Sequence, residues 1–476
     1  MFLKRLSQAS RDECGVALAA VIGVMAVCLI FATIIMTSVV GAFGSSSALR
    51  AGTQSQAAAD SGISKARAGL YIAAGLAGSC GSQPIPGTYK STVAPVYSAS
   101  IEYDTGAGWT SGCPTTSAKQ IRITSSGSAA SAGVMNASSG DASKVEAIFN
   151  YLTPGVDPSG VAMYLYKGAV IQANSNLDLT EASGAGLVVK NGNFLCDKNN
   201  GVINSSVVIN GDLTLSGKCS INGNAWVSGG ATLGTGSVVS GDLSSSIVTP
   251  NPPGAHVVGT YTPSGVLPDL PPDWVDVGYV PTDWVDPSGV PYEVRTVTSA
   301  SQCTLPDGNL GGTITKKPVI MNMLGCAAGP TASNNTTVKL TSDVVIFAKQ
   351  FTFTNSLKFQ SSSGPWRVWF ITPDTVVNGV PDCPSALATG DFKVINNLEI
   401  TSPVGAMLYT PCAFDAKNGF EWHGQIYAGK YSYIQNNPKF TFVSMGLAGV
   451  DLDAGTPAPV ITSAQPGTLI SQRDRK

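Results

Sequence analysis

Histidine is nearly absent from this chain. Only His256 and His423 occur, far apart, and no two cysteines have C-x-x-C spacing. A structural zinc site built from these ligands is therefore not supplied. Charge is scarce too: Asp, Glu, Lys and Arg make up 12% of 476 residues, and the formal net charge is -2. Nothing is basic enough to hold nucleic acid. The chain lacks a nucleotide-binding glycine loop, a G-x-S-x-G elbow and a nonapeptide calcium repeat. Its acidic residues are scattered, whereas polysaccharide lyases and hydrolases need grouped carboxylates, often with Arg, Lys or calcium. The reading is non-enzymatic, with no catalytic, cofactor-binding or metal-binding residue expected.

What the chain has is a distinctive start. The leader MFLKRLSQASRDECG carries Lys4, Arg5 and Arg11, and from Val16 to Phe43 there is no charge. Such a run can cross a bilayer, which takes about 20 apolar residues. The positive-inside rule puts the leader in the cytoplasm and the remainder outside. Three fates are open for this segment. It is a secretory signal cut near Val40-Gly41-Ala42, an uncut signal anchor, or a leader cut after Gly15 that leaves a helix starting at Val16. A signal h-region spans about 7–15 residues, and this run is much longer.

The chain continues without a break into SSSALRAGTQSQAAADSGISKARAGLYIAAG, with Leu49, Ala58, Ile63, Ala66 and Leu70 near helical spacing. Gly15 before Val16-Ala17-Leu18, followed by AAADSGISKARAGL, resembles minor pilins of the PilX type within the type IV filament superfamily. The resemblance covers about residues 10–75. It implies a prepilin peptidase acting between Gly15 and Val16, a helix over 16–75 and other pilin-like subunits as partners. Major pilins carry a Glu five residues after the cut, and Ala20 stands there. A buried unpaired amine is costly, so the missing Glu fits a minor or tip subunit, and fits a simple anchor equally well. The segment 76–152 holds three alternating runs, with Ile101 and Tyr103, Ile121 and Ile123, and Val145, Ala147 and Phe149 on one face of each. The resemblance implies that these strands pack on the second half of the helix as a small pilin-like sheet.

Cys14 and Cys28 read as a stray thiol and a small hydrophobe. The other eight, Cys80, Cys113, Cys196, Cys219, Cys303, Cys326, Cys383 and Cys412, lie beyond the apolar run. An even set in an oxidising space reads as disulfides. Sequence allows many pairings. Neighbours are expected to pair, 80–113, 196–219, 303–326 and 383–412, because each pair falls in one structural unit.

From 153 to 245 the chain repeats. VVKNGNFLC, VVINGDLTL, CSINGNAWV and VVSGDLSSS share one plan around Gly192, Gly211, Gly223 and Gly241. Short strands with a recurring glycine predict a parallel β-helix or solenoid, with glycine supplying turns that other residues reach only with strain. Asp197, Asp212 and Asp242 lie in those turns, where Asp is favoured by its backbone hydrogen bonds. A β-sandwich would show similar strand lengths. Residues 246–300 are proline-rich and interrupt the repeat. They hold a near-duplicate, Asp273-Trp274-Val275-Asp276 and Asp283-Trp284-Val285-Asp286. These could be paired carboxylates or a sugar platform, but a Pro-rich strap does not fix a carboxylate separation. The favoured reading has the Trp rings pinning the strap to the β structure.

The repeat resumes over 301–452, with Val338, Leu340, Val344, Ile346, Phe351, Phe353, Leu357 and Phe359 pointing inward. Glu421 and His423 share a strand face, a conceivable proton-transfer pair, though a solvent-facing pair beside inward Phe420 and Trp422 is preferred. The region from 160 onward resembles the right-handed β-helical domains that follow pilin-like N-termini in bacterial surface proteins, with Gly424–Gly429 the best local match. The tail 453–476 lacks periodicity and is expected to be flexible.

The sequence thus predicts a mainly β protein: a leader (1–15), a long transmembrane α-helix (16–75), a small β-sheet (76–152), then a right-handed parallel β-helix (153–245 and 301–452) split by a strap (246–300). The expected role is a membrane-anchored surface subunit presenting an adhesive or spacer head. Its implied partners are the membrane, pilin-like subunits and an extracellular glycan or host-surface ligand. Two alternatives stand: a simple bitopic surface protein outside any filament, and a polysaccharide-acting enzyme.

Overall fold

A computed structural model describes residues 3–72, 80, 87–115, 118–129, 142–156, 158–172, 174–180, 184–197, 200–312, 317–383, 390–461 and 463–475, with helix side chains from 17 to 70. The chain is mainly β and divides into two units, Met1–Thr153 with Ser463–Lys476, and Pro154–Thr462.

In the first unit one helix, α1 (Leu3–Ile72), runs without interruption. It is long and apolar enough to cross a membrane. Leu18, Ile22, Leu29, Phe31, Ile35, Met36 and Phe43 are all exposed. Polar side chains in this stretch bond their own backbone: Thr33 Oγ1 donates to the Ile30 carbonyl and Thr37 Oγ1 to that of Thr33. Such bonds leave no hydroxyl without a partner even where the helix surface is apolar.

The second half of α1 lies on an antiparallel sheet. Residues 120–128 pair with 96–104 on one side and 142–152 on the other. Ala59, Ile63, Ala66 and Leu70 form one apolar cluster with Ile101, Ile121, Ile123, Val145, Ala147 and Phe149. Leu49 is exposed and takes no part. Small residues set the approach: a Cβ on Gly127 would stand 2.2 Å from the Ala59 nitrogen. The terminal segment differs from expectation. Gln465–Arg475 is a strand, antiparallel to 142–152. Exposed Leu469, Ile470 and alternating charges gave no apolar face to read, and ladder hydrogen bonds and ion pairs hold it instead.

The second unit is built mostly of parallel strands in three ladders, with one short antiparallel pair, 450–451 and 456–457, outside them. One nine-stranded sheet includes 351–353, 392–394, 414–416, 432–434, 168–172, 193–197, 213–215, 230–233 and 247–249. The other two ladders run beside it, for example 344–347 with 367–371 and 405–410, and 336–340 with 357–361 and 398–400. Inward residues of all three share one core cluster, which contains all eight inward candidates from Val338 to Phe359. A file of rings fills it, with Phe392 to Phe414 at 5.9 Å and Phe414 to Phe420 at 5.0 Å between centroids. Each buried Phe contributes about 1.5–3 kcal/mol. No sheet closes on itself among the described residues.

The recurring glycines are needed for a different reason than expected. Gly192, Gly211, Gly223 and Gly241 are absent from the positive-φ glycines. Crowding is what requires them: a Cβ on Gly192 would lie 2.0 Å from the Lys167 carbonyl oxygen, and on Gly211 2.0 Å from that of Gly192. The following Asx residues tie strand to strand. Asn193 Oδ1 accepts from the Asp212 nitrogen and Asp212 Oδ1 from the Gly230 nitrogen, 19 and 18 residues on. Asn224 and Asp242 repeat the bond to Asp242 and Thr260.

The order of the stack also differs from the sequence. The segment after the strap does not extend the ladders from where they stop near 263. Its end joins their beginning: 426–428 pairs with 163–165, 432–434 with 169–171 and 439–441 with 176–178. The strap crosses the outer face of one ladder between these positions. Buried Gln425 locks the junction. Its Nε2 donates to the carbonyls of Ser159, Gly160 and Val161, and its Oε1 accepts from the Met445 and Gly446 nitrogens at 2.7 and 2.8 Å.

Candidate functional site

Gly15 and Val16 lie in the backbone of α1, and their side chains fall outside the described residues. The eight cysteines beyond the helix are bonded as 80–113, 196–219, 303–326 and 383–412, with Cα separations of 5.3, 6.0, 5.8 and 4.9 Å. Cys28 is free and exposed on α1. Cys383, Asp391 and Cys412 come together with metal-like spacing. The two sulfurs are committed to each other, so they cannot serve as thiolate ligands.

The strap's two Trp residues are buried against the ladder. Trp274 stacks on Tyr409 at 4.9 Å and touches Tyr164 and Tyr166. Trp284 meets Trp369 edge-on at 5.1 Å. Backbone contacts reinforce the rings: Tyr409 Oη donates to the Val275 carbonyl at 2.7 Å and accepts from the Val277 nitrogen. Burial pushes the Tyr409 phenol well above its ordinary range, and Tyr164 and Tyr427 with it. No flat ring is offered to a sugar at these positions.

The four carboxylates of the near-duplicate are separated by environment. Asp273 is exposed and pairs with Lys190. Asp286 caps a turn through the nitrogens of Ser288 and Val290. Asp283 is raised above the ordinary carboxylate range by burial, partly offset by Thr282. Asp276 faces a loop that sequence reasoning did not single out, residues 374–383. Its Oδ2 accepts from the nitrogens of Asn378 and Gly379 at 2.6 and 2.7 Å. Asp374, 1% exposed, accepts through Oδ2 from Trp274 Nε1 at 3.0 Å and from the Asp382 nitrogen at 3.1 Å. Burial raises its pKa, and nearby Asp276 adds to this, while the Asp382 and Val376 amides and Trp274 pull the other way. About a hundred residues separate the partners, so no local motif announces them.

Glu421 and His423 lie on one strand, as expected, but are drawn to different partners. Glu421 faces Lys439 at 3.8 Å, and His423 Nδ1 contacts the Val404 carbonyl at 2.6 Å. No bond joins the two residues among those described. Their neighbours Phe420 and Trp422 are buried in the core. The outer face of the nine-stranded sheet is mixed: Thr214, Thr232 and Thr249 stand in register at one end, and Leu195 and Val170 continue the same file to Tyr433. Tyr433, on the same sheet, is half-exposed beside Tyr431.

No family model matches the chain, and no curated protein does. Among solved structures, the competence-associated pilin ComZ from Thermus thermophilus overlays 89% of this chain and 97% of its own, at 12% identity and a TM-score of 0.25.

Proposed function

We propose that the protein is a membrane-inserted surface subunit of the pilin-like kind, carrying a parallel β-helical head that acts as an adhesive or spacer. The observation that carries this reading is the division of α1 into two halves. One half is apolar and exposed over residues 18–43, and the other is small-residue-rich and buried on an antiparallel sheet. A helix of this kind suits both a bilayer and a filament core packed from like helices. In this reading a prepilin peptidase cuts between Gly15 and Val16. Ala20, in place of a carboxylate, then leaves the new amine without a partner in a homopolymer, which places the subunit at a tip or in minor positions.

For the head, bonds recurring every 18 or 19 residues, three parallel ladders and one shared core support a right-handed β-helix. The disulfides suit an oxidising exterior. The Thr file at one end of the outer sheet and the half-exposed Tyr433 suit a glycan or host-surface ligand.

The deciding experiment is peptide mass spectrometry of the membrane-extracted protein. A mature chain beginning at Val16, and loss of that cut in Gly15→Ala, is the expected result. A chain beginning at Met1 would leave a simple bitopic anchor, and one beginning near Phe43 a secreted protein. Either would remove the filament reading.

A further inference from the structure

Aromatic rings on the outer faces of the second unit meet two fates. Under the strap they are covered: Tyr164, Tyr409 and Trp369 are buried in one cluster with Trp274 and Trp284. Tyr433 lies on the nine-stranded sheet instead and is 46% exposed. No other ring outside α1 is as exposed among the described residues. The ring is held in place, since Tyr431 stands edge-on to it with centroids 5.4 Å apart. Tyr433 is also in the middle of a file. Lys393 and Asp415 occupy the two strands on one side, Val170 and Leu195 the two on the other, and the Thr file follows.

An exposed ring of fixed orientation offers an apolar face for stacking, and its surroundings select the ligand. Charge along the file balances, with Lys393 against Asp415, and Lys393 is further paired with Asp391 at 3.0 Å. Neither a polyanion nor a polycation is attracted. The apolar surface beside the ring is slight, because Val170 is buried and Leu195 half-buried. That is too little for the dehydrated centre of a protein interface. A pyranose ring matches better, with C–H groups on its face and hydroxyls around its rim. Parallel strands repeat about every 4.8 Å, close to the advance of one hexose in an extended chain. We propose that this file binds an uncharged, extended polysaccharide lying across the strands. One sugar stacks on Tyr433, and its neighbours bond to Asp415 and Lys393 on one side and to the Thr file further along the other. This rests on the adhesive reading of the head and names the ligand class.

Isothermal titration calorimetry of the full chain, in a detergent without a sugar head group, tests it with cellohexaose and chitohexaose as probes. Binding of at least one is expected. Tyr433→Ala should weaken it about tenfold, while Tyr433→Phe keeps it, because the ring face makes the contact. Leu195→Glu, two strands away, puts a charge under the same chain and should weaken binding too. It covers the case in which Tyr433→Ala fails to fold, and near-UV circular dichroism reports folding for each. A folded wild-type chain that binds neither probe overturns the proposal and leaves a spacer head, whatever the position of the N-terminal cut. A chain that begins at Met1 yet binds a probe keeps the proposal and loses only the filament. Binding unchanged in folded Tyr433→Ala and Leu195→Glu overturns it by placing the sugar elsewhere. An oligomer that Tyr433→Ala dissociates in size-exclusion chromatography overturns it as well, by making this face a contact between copies.

Discussion

Arg473 reaches across from the last strand to Glu146, donating through Nε and Nη2 to the same carboxylate oxygen at 2.9 and 2.7 Å. Glu146 is 1% exposed, and Arg475 holds its second oxygen at 2.6 Å. A buried charge is tolerable only while paired. The C-terminal strand therefore does more than extend the sheet, because it neutralises an acid that the strand before it buries. Replacing both Arg473 and Arg475 by Ala should destabilise the first unit by about 1–3 kcal/mol, the cost of an unsatisfied buried group. Glu146→Gln should cost less, because Arg473 and Arg475 are partly exposed and can turn to water, while Arg122, the third arginine on this carboxylate at 3.9 Å, keeps its pair with Glu102. Thermal unfolding of the full chain in detergent checks the order. Equal losses would mean that the ladder hydrogen bonds alone hold the strand.

Gln425 is the junction on which the second unit closes its chain order. Gln425→Leu removes one amide and leaves three carbonyls and two nitrogens without their partner. A loss of about 3 kcal/mol or more is expected, since each buried unsatisfied group costs about 1–3 kcal/mol. Urea unfolding followed by tryptophan fluorescence would show it. A midpoint within error of wild type would mean that water replaces the amide.

The glycine argument has a built-in control. Gly211→Ala must push against the Gly192 carbonyl and should cost about 1–3 kcal/mol, as overpacking does. Gly278→Ala meets nothing within 4 Å and should be neutral. If both were tolerated alike, the close approach between ladder corners would be looser than described.

Asp415 gives a pH signature. Burial first, then Asp391, raise its pKa, with Lys393 opposing. A carboxyl whose folded pKa is raised holds its proton more tightly when folded. Its ionisation therefore costs stability as pH rises from the ordinary carboxylate range through the raised value. Asp415→Asn removes that cost. The variant should match wild type in acid and gain on it as pH rises through this window. Thermal midpoints across about pH 3.5 to 7 test the sign, and a variant that loses ground with rising pH would refute it.

Local chemistry determined much of this protein. The apolar run, the helical spacing of Ala58, Ile63, Ala66 and Leu70, and the alternation from Val338 to Phe359 are short-range patterns that follow directly from side-chain period, and the structure places them as read. The cysteines pair with their neighbours because each pair sits within one stretch of the same packing unit. Tertiary structure decided what depends on distant partners. The role of Gly211 comes from a carbonyl one strand away rather than from its own φ. The strand 465–475 exists because Glu146 and its neighbours offer an open edge and a buried charge. The order of the two halves, with the second stacked ahead of the first so that 426–428 lies beside 163–165, was invisible because the ladder strands are all parallel and share the same apolar interior. Local pattern says that such strands stack, and only the strap's path and the amide of Gln425 decide which end meets which.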